Sequence, residues 1–456
     1  MSSNYSYKKP VPLYDCPQSW EFYSEQLRTE YQQSIDEGLD ISKYQNLFES
    51  VASMEKSEHK SKIADVCFDL LMNADIAADY KYEEPSDLEG IQALRSPAPV
   101  LPAVNTDTLK SKIEGAWYGR ICGCLLGKPV EGAKTTELVP FLKEIGNYPM
   151  HRYILQSDAK KEIVSKYKYP FRRLCHADII DRAPIDDDTN YTVLYQKVID
   201  EYGKDFQPAD VTKAWLAWQP KTAYFTAEQT AYRNFLKGYM PPSSAVYQNP
   251  YREWIGAQIR ADYFGYINPG NPEKAAEMAW RDACISHTKN GIYGEMFMAA
   301  MIAAAAVLDD IFEIISAGLA QIPAKSRLHE AVTRVVANYK NGMTCEDCFA
   351  DIHNRWDEFN GHHWCHTISN AEICIAALLY GNNDYGTSIC LAVQTGFDTD
   401  CNGATVGSIL GMKNGIASIG TEWTAPIHGL QDTSIFGVGT IEVAELVEKT
   451  LKHIEQ

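Results

Sequence analysis

The spacing of apolar residues along this chain is helical almost from end to end. From about Gln18 to Arg95 apolar positions recur at three- and four-residue steps, as in Trp20, Phe22 and Tyr23 and again in Ile63, Val66, Cys67, Leu70 and Leu71, the period of an amphipathic helix. Ser96-Pro97-Ala98-Pro99-Val100-Leu101-Pro102 follows, and closely spaced prolines cannot continue a helix. The pattern predicts an N-terminal helical extension with a Pro-rich linker over residues 1–104, serving as a cap or an oligomerisation element, and a larger body over residues 105–456. Asn105-Thr106-Asp107-Thr108 offers N-caps for a helix through LKSKIEGAWYGRICGCLLG. Further helical runs are expected at Asp188 to Tyr202, Pro272 to Ile285, Gly294 to Leu308, Leu328 to Asn338 and Ser369 to Tyr380. Strand-like alternation is scarce, with Ile163 to Pro170 the best candidate, so the expected class is all-α.

Two of these helices carry glycines at four-residue steps: Gly115, Gly119, Gly123 and Gly127 in the first, Gly403, Gly407 and Gly411 near the C-terminus. Each costs about 1 kcal/mol of helix stability relative to alanine. The spacing puts them on one face, where another backbone can approach closely. A membrane reading of the first stripe fails because Glu114 and Arg120 interrupt it.

Composition narrows the picture. Of 456 residues, 45% are hydrophobic and 22% charged, an ordinary globular balance. The formal net charge of -18 argues against a nucleic-acid-binding surface, which needs clustered Lys and Arg. The apolar stretch Met296 to Leu308 is too short to span a bilayer and reads as a buried helix. The first twenty residues lack the apolar core of a signal peptide. A cytoplasmic protein with reduced cysteines and no membrane partner is therefore expected. Cys345-x-x-Cys348, with His362, His363 and His366 beyond it, reads as a helix start or, less economically, as a zinc site.

The chemistry-bearing segments are acidic. Asp186, Asp187 and Asp188 are consecutive at a helix start, where N-capping and the helix dipole account for one carboxylate; three together call for a cation. Oxygen ligands suit Mg²⁺, Mn²⁺ or Ca²⁺. Asp398 and Asp400 alternate in GFDTDCNG, among small and apolar neighbours. The two segments together could hold one or two metal ions.

GAWYGRICGCLLGKPVEG, IDDDT, GAQIRADYFGYINPGNPEKAAEMA and GFDTDCNGATVGSILG, in that order, resemble the motifs of the ADP-ribosylglycohydrolase family, over roughly residues 109 to 412. The resemblance implies a compact, orthogonal multi-helix bundle around a central dinuclear site with two divalent cations, Mg²⁺ or Mn²⁺. It implies hydrolysis of the glycosidic bond at the anomeric carbon of ADP-ribose or a related ribosyl compound, on a small-molecule or ADP-ribosylated substrate. Asp187 and Asp188 match the paired metal aspartates, and Asp398 and Asp400 the distal pair. Asp186 and Cys401 stand where the pattern carries hydroxyls, and Cys124 where it often carries Asp, the marks of a divergent branch.

The same comparison assigns Glu131, after Pro129, to water positioning or general-base work, with Asp187 as its catalytic partner carboxylate. Gly256 and Arg260 would bind phosphates, and His287 and His366 would flank the substrate. Trp364 and Phe397 could stack on a base. For each the alternative is structural: a loop glutamate, a buried ion pair, a hydrogen-bonded histidine, a core aromatic. Competing functions are a ribosidase acting on another nucleoside-like molecule, a phosphohydrolase, and a non-catalytic homologue.

Overall fold

The structure is a computed structural model that describes residues 12–14, 21–171 and 175–456. Among these residues it holds twenty-three α-helices and one two-stranded antiparallel sheet, Leu430–Asp432 with Thr440–Glu442. The all-α expectation holds. Ile163 to Pro170 is not a strand: Lys161–Val164 is a helical turn and the chain then bends. No described helix is long and apolar enough to cross a membrane.

The centre is built from helices with no polar face. Lys289–Ala305 is buried from Asn290 onward on every side, as its run of Ala, Met and Ile requires. Thr367–Tyr380 and Thr399–Asn414 are almost as enclosed. Around them pack Thr106–Gly127, Asp187–Tyr202 and Pro272–Ala283, the last with a wet and a dry face.

The two glycine stripes meet each other. Gly115 faces Gly411, Gly119 faces Gly407, Gly123 faces Gly403 and Gly127 faces Thr399, so the helices run antiparallel. A Cβ on any of these glycines would come within 3.0 Å of the facing backbone. Side chains beside the stripes close the remaining backbone groups: the hydroxyl of Tyr385 donates to the Gly119 carbonyl at 2.9 Å, and Thr399 Oγ1 to that of Gly127 at 2.9 Å.

The N-terminal segment is not one continuous helix. Leu27–Asp36, Gln45–Ala52, Glu58–Met72 and Leu88–Ala93 are separate, and residues 74–87 are irregular. Gln18 and Trp20 lie outside the described residues. Tyr23, Leu27, Phe48, Phe68 and Leu71 form a small hydrophobic cluster of their own. Polar contacts join it to the body: Arg252 reaches Glu30 and Glu37, each at 2.6 Å, and Arg327 reaches Glu84 at 2.8 Å and Glu253 at 2.7 Å.

The glycine contact predicts a sharp contrast. Gly119→Ala or Gly407→Ala is expected to destabilise the protein by about 3 kcal/mol, the upper end of the usual overpacking range, since neither facing backbone can yield without separating the helices. Gly361→Ala, where a Cβ meets nothing within 4 Å, is expected to be neutral or slightly stabilising. Urea unfolding of the three variants checks this; equal losses would mean the stripe is not the packing constraint.

Candidate active site

The C-terminal end of one glycine helix and the N-terminal end of the other finish side by side, and the acidic residues lie there. Thr106–Gly127 runs out into Lys128, Pro129, Val130 and Glu131. Thr399–Asn414 begins after Gly396 and Phe397, both at positive φ (77° and 59°). A phenylalanine held there is strained, and the turn it completes delivers Asp398 as the residue before the helix.

The first acidic motif arrives from elsewhere. Asp186 is the N-cap of Asp187–Tyr202, its Oδ1 accepting the Asp188 amide at 3.0 Å. The stretch before it is pinned to the short sheet, Ala183 exchanging backbone hydrogen bonds of 2.9 and 3.0 Å with Leu430 and Asp432. Arg120, fully buried, clamps the helix start by donating to the Asp188 carbonyl (2.9 Å) and Asp188 Oδ1 (3.2 Å) while pairing with Asp262 (2.7 Å).

The two motifs converge. Ligand atoms of Asp188, Asp400 and Cys401 lie within 4.8 Å of one another, and those of Cys124, Asp186 and Asp188 do the same. Asp188 Oδ2 is buried with no hydrogen-bond partner, an arrangement a bound cation would resolve. These buried acidic groups can hold a divalent ion. Burial pushes the Asp187, Asp188 and Asp400 carboxyls well above the usual range, and neighbouring carboxylates push them further: Asp186 for the first two, Glu131 for the third. Burial and Glu131 likewise raise Asp398 to about 6.

Asp186 differs. Burial would raise it too, but the Lys128 ammonium, 2.5 Å from Oδ2, keeps its carboxyl below the usual value. Lys128 was not among the expected site residues. The signal was its place three residues before Glu131, but nothing in the sequence tied it to a carboxylate 58 positions away.

A cavity of about 590 Å³ opens over this cluster, within the range of sites for small ligands. Its lining combines the charged side chains of Lys128, Glu131, Asp186, Asp187, Asp398 and Asp400 with the apolar ones of Phe225, Trp254, Ile255, Ile259 and Trp364, and includes Asn190, Glu228, Gly256 and Ser434. Of the expected substrate residues, Gly256 lines the cavity. Trp364 does so too, with the Lys134 ammonium 4.9 Å above its ring. Phe397 is fully buried, and its carbonyl accepts the Trp364 indole N–H at 2.7 Å.

Arg260, His287 and His366 do not reach the cavity. Arg260 is fully buried, with its donors committed to Asp282 (2.5 Å), Glu228 (2.6 Å), Ser286 (3.1 Å) and the Gly256 carbonyl (3.2 Å). A guanidinium surrounded by carboxylates has nothing left for a phosphate. His287 sits behind Glu228, at 3.9 Å, with its ring hydrogen-bonded to Ser286 Oγ. His366 caps Thr367–Tyr380, accepting the Ile368 amide at 3.1 Å, and stacks on Trp356. All three hold the wall from outside. Cys345 and Cys348 sit at the start of Cys345–Arg355, and no metal-ligand group forms around them among the described residues.

The fold and cavity thus define an all-helical protein with a buried carboxylate cluster at the floor of one cleft. The chain belongs to the ADP-ribosylglycohydrolase family, whose model matches residues 105–455. One solved structure, an ADP-ribosylglycohydrolase-related protein complex, is 19% identical, with 76% of this chain and 99% of that chain covered and a TM-score of 0.46. No curated protein matches the chain.

Glu228 provides a test of the cavity electrostatics apart from the aspartates. Burial raises its carboxyl from 4.5 to about 7 despite Arg260. The native state therefore keeps this proton between pH 4.5 and 7 while the unfolded chain has lost it. Stability falls as pH rises through that window, and the penalty is complete above it. Glu228→Gln should gain up to about 3 kcal/mol relative to the parent chain on going from pH 5 to pH 8. Urea unfolding at both pH values measures it; a pH-independent difference would place the proton elsewhere.

Proposed function

We propose that this protein is a divalent-cation-dependent glycohydrolase cleaving the bond at the anomeric carbon of ADP-ribose or a related ribosyl compound. The observation that carries this reading is the meeting of Asp186, Asp187 and Asp188 with Asp398, Asp400 and Glu131 at the floor of a single cleft, in a chain of this family. The lining suits both parts of such a substrate: carboxylates for the hydroxyl-rich sugar, and the indoles of Trp364 and Trp254 as aromatic surface for a base.

Asp188 and Asp400, with Asp398 nearby, are the residues to hold a cation, and Asp186 stands next to them paired with Lys128. A bound divalent ion there would lower the pKa of a coordinated water and polarise ribose hydroxyls. Glu131 lines the cavity and serves as the base that orients the attacking water and accepts its proton. Positive charge develops at the anomeric carbon as the bond breaks, and Asp187, which lines the cavity, stabilises it once a bound cation has offset the burial and the repulsion that keep its carboxyl protonated. The apolar wall around Trp254, Ile255 and Ile259 excludes bulk water, so these charges act in a medium that screens them weakly. The expected phosphate contact reduces to the backbone around Gly256, because Arg260 is already spent on its own carboxylates.

The assay is release of free ADP-ribose from ADP-ribosylated protein, with small ribosides as alternative substrates. EDTA is expected to abolish turnover, and Glu131→Gln to lower kcat by about 10²–10⁴-fold with unfolding unchanged. Undiminished turnover in EDTA would remove the metal from the mechanism. Activity on no ribosyl compound, with the metal bound, would remove the glycohydrolase reading.

A further inference from the structure

The two groups of ligand atoms that share Asp188 are not equivalent. In the group of Cys124, Asp186 and Asp188, both oxygens of Asp186 are engaged: Oδ1 with the Asp188 amide at 3.0 Å, Oδ2 with the Lys128 ammonium at 2.5 Å. A positive charge already sits at that position. In the group of Asp188, Asp400 and Cys401, no ammonium is bonded. Asp188 directs Oδ1 to Arg120 at 3.2 Å and leaves Oδ2 fully buried with no hydrogen-bond partner. An unpartnered carboxylate oxygen beside a second carboxylate and a sulfur is the donor set of a cation.

We propose that the cleft binds one divalent cation of the borderline-soft, Zn²⁺ class on Asp188, Asp400 and the Cys401 sulfur, with the Lys128–Asp186 ion pair standing where a second ion would otherwise sit. It rests on the reading of this cleft as a metal-dependent site, and departs from the expected pair of Mg²⁺ or Mn²⁺ ions. Two physical reasons favour it. Sulfur selects zinc-like ions, whereas Mg²⁺ demands an octahedron of oxygens and waters. An ammonium locked on Asp186 repels a dication placed beside it in a buried setting where charges are poorly screened. Three protein ligands would leave a tetrahedral ion one position for water or substrate, as in catalytic rather than structural zinc, and Asp400 and Cys401 both line the cavity. Binding deprotonates the Cys401 thiol, its proton leaving to solvent as the sulfur–metal bond forms.

The test uses the full chain, stripped with a chelator and titrated with Co²⁺ under reducing conditions. The readouts are the sulfur-to-cobalt charge-transfer absorption and the number of equivalents bound by calorimetry. One equivalent with a sulfur band is expected, displaced by Zn²⁺ and not by a large excess of Mg²⁺. Cys401→Ser should lose the band and weaken Co²⁺ binding at least about tenfold, the loss already typical of groups that only orient ligands. Cys124→Ser should keep both, and Lys128→Met should take up a second equivalent. Two equivalents in the parent chain, a spectrum without the sulfur band, or competition by equimolar Mg²⁺ would overturn the proposal. A Lys128→Met chain that still stops at one equivalent would overturn the part assigned to Lys128. None of these readouts needs turnover, so they stand or fall apart from the hydrolytic assay, and the parent titration does not depend on any variant folding.

Discussion

The structure depends on two glycine-striped helices touching backbone to backbone. Glycine is the weakest ordinary helix former, so Gly115, Gly119 and Gly123 against Gly411, Gly407 and Gly403 trade local stability for proximity. What proximity yields is alignment. With Gly127 against Thr399 at the end of the stripe, the chain leaving one helix at Lys128 and Glu131 and the chain entering the other at Asp398 and Asp400 are forced into one place. A side chain anywhere along the seam would lift the two ends apart and dissolve the acidic cluster without touching it.

The cluster exacts its own cost. Carboxylates packed together in a buried floor repel one another and are poorly solvated, which is why Asp187, Asp188 and Asp400 hold their protons so strongly in the absence of a cation. The protein relieves part of this with fixed cations. Arg120 pins Asp188 from beneath, and Lys128 pairs with Asp186 from the side. The imbalance that remains is local, at Asp188 Oδ2 and its neighbours, and a divalent ion is its natural counterpart. A second buried set joins Arg260 to Asp282, Glu295 and Glu228, the last of which is part of the cavity wall.

Much of that wall is held from outside by residues of distant origin. Ile255 donates its amide to the Cys365 carbonyl at 2.8 Å, and Thr367 Oγ1 donates to the Trp254 carbonyl at 2.8 Å. Glu253 in turn takes Arg327 and the Gln33 side chain of the N-terminal segment, each at 2.7 Å. The indole of Trp254 donates to His362, whose far nitrogen meets Asp36 at 3.1 Å. The N-terminal helices therefore bear on the Trp254 side of the cleft through a chain of polar contacts, while Tyr247 of the body packs against their hydrophobic cluster.

The sequence alone determined the elements and the inventory. Helical periodicity, the four-residue spacing of the glycines and the two acidic motifs are local properties, written in residues a few positions apart, and each was legible there. The convergence of Asp187 and Asp188 with Asp398 and Asp400 was suggested by two acidic clusters each opening a helix, and sharpened by the family resemblance. Partnership was decided by the tertiary structure, because a side chain's charge does not reveal which neighbour it will meet across hundreds of residues. Arg260, His287 and His366 have the chemistry of ligand-binding residues, yet packing turned all three to the outside of the cleft. Lys128, Glu228, Trp254 and Ser434 looked ordinary and were brought to its lining. Asp186 reads as a metal carboxylate in the sequence, and only the fold brought the Lys128 ammonium to it.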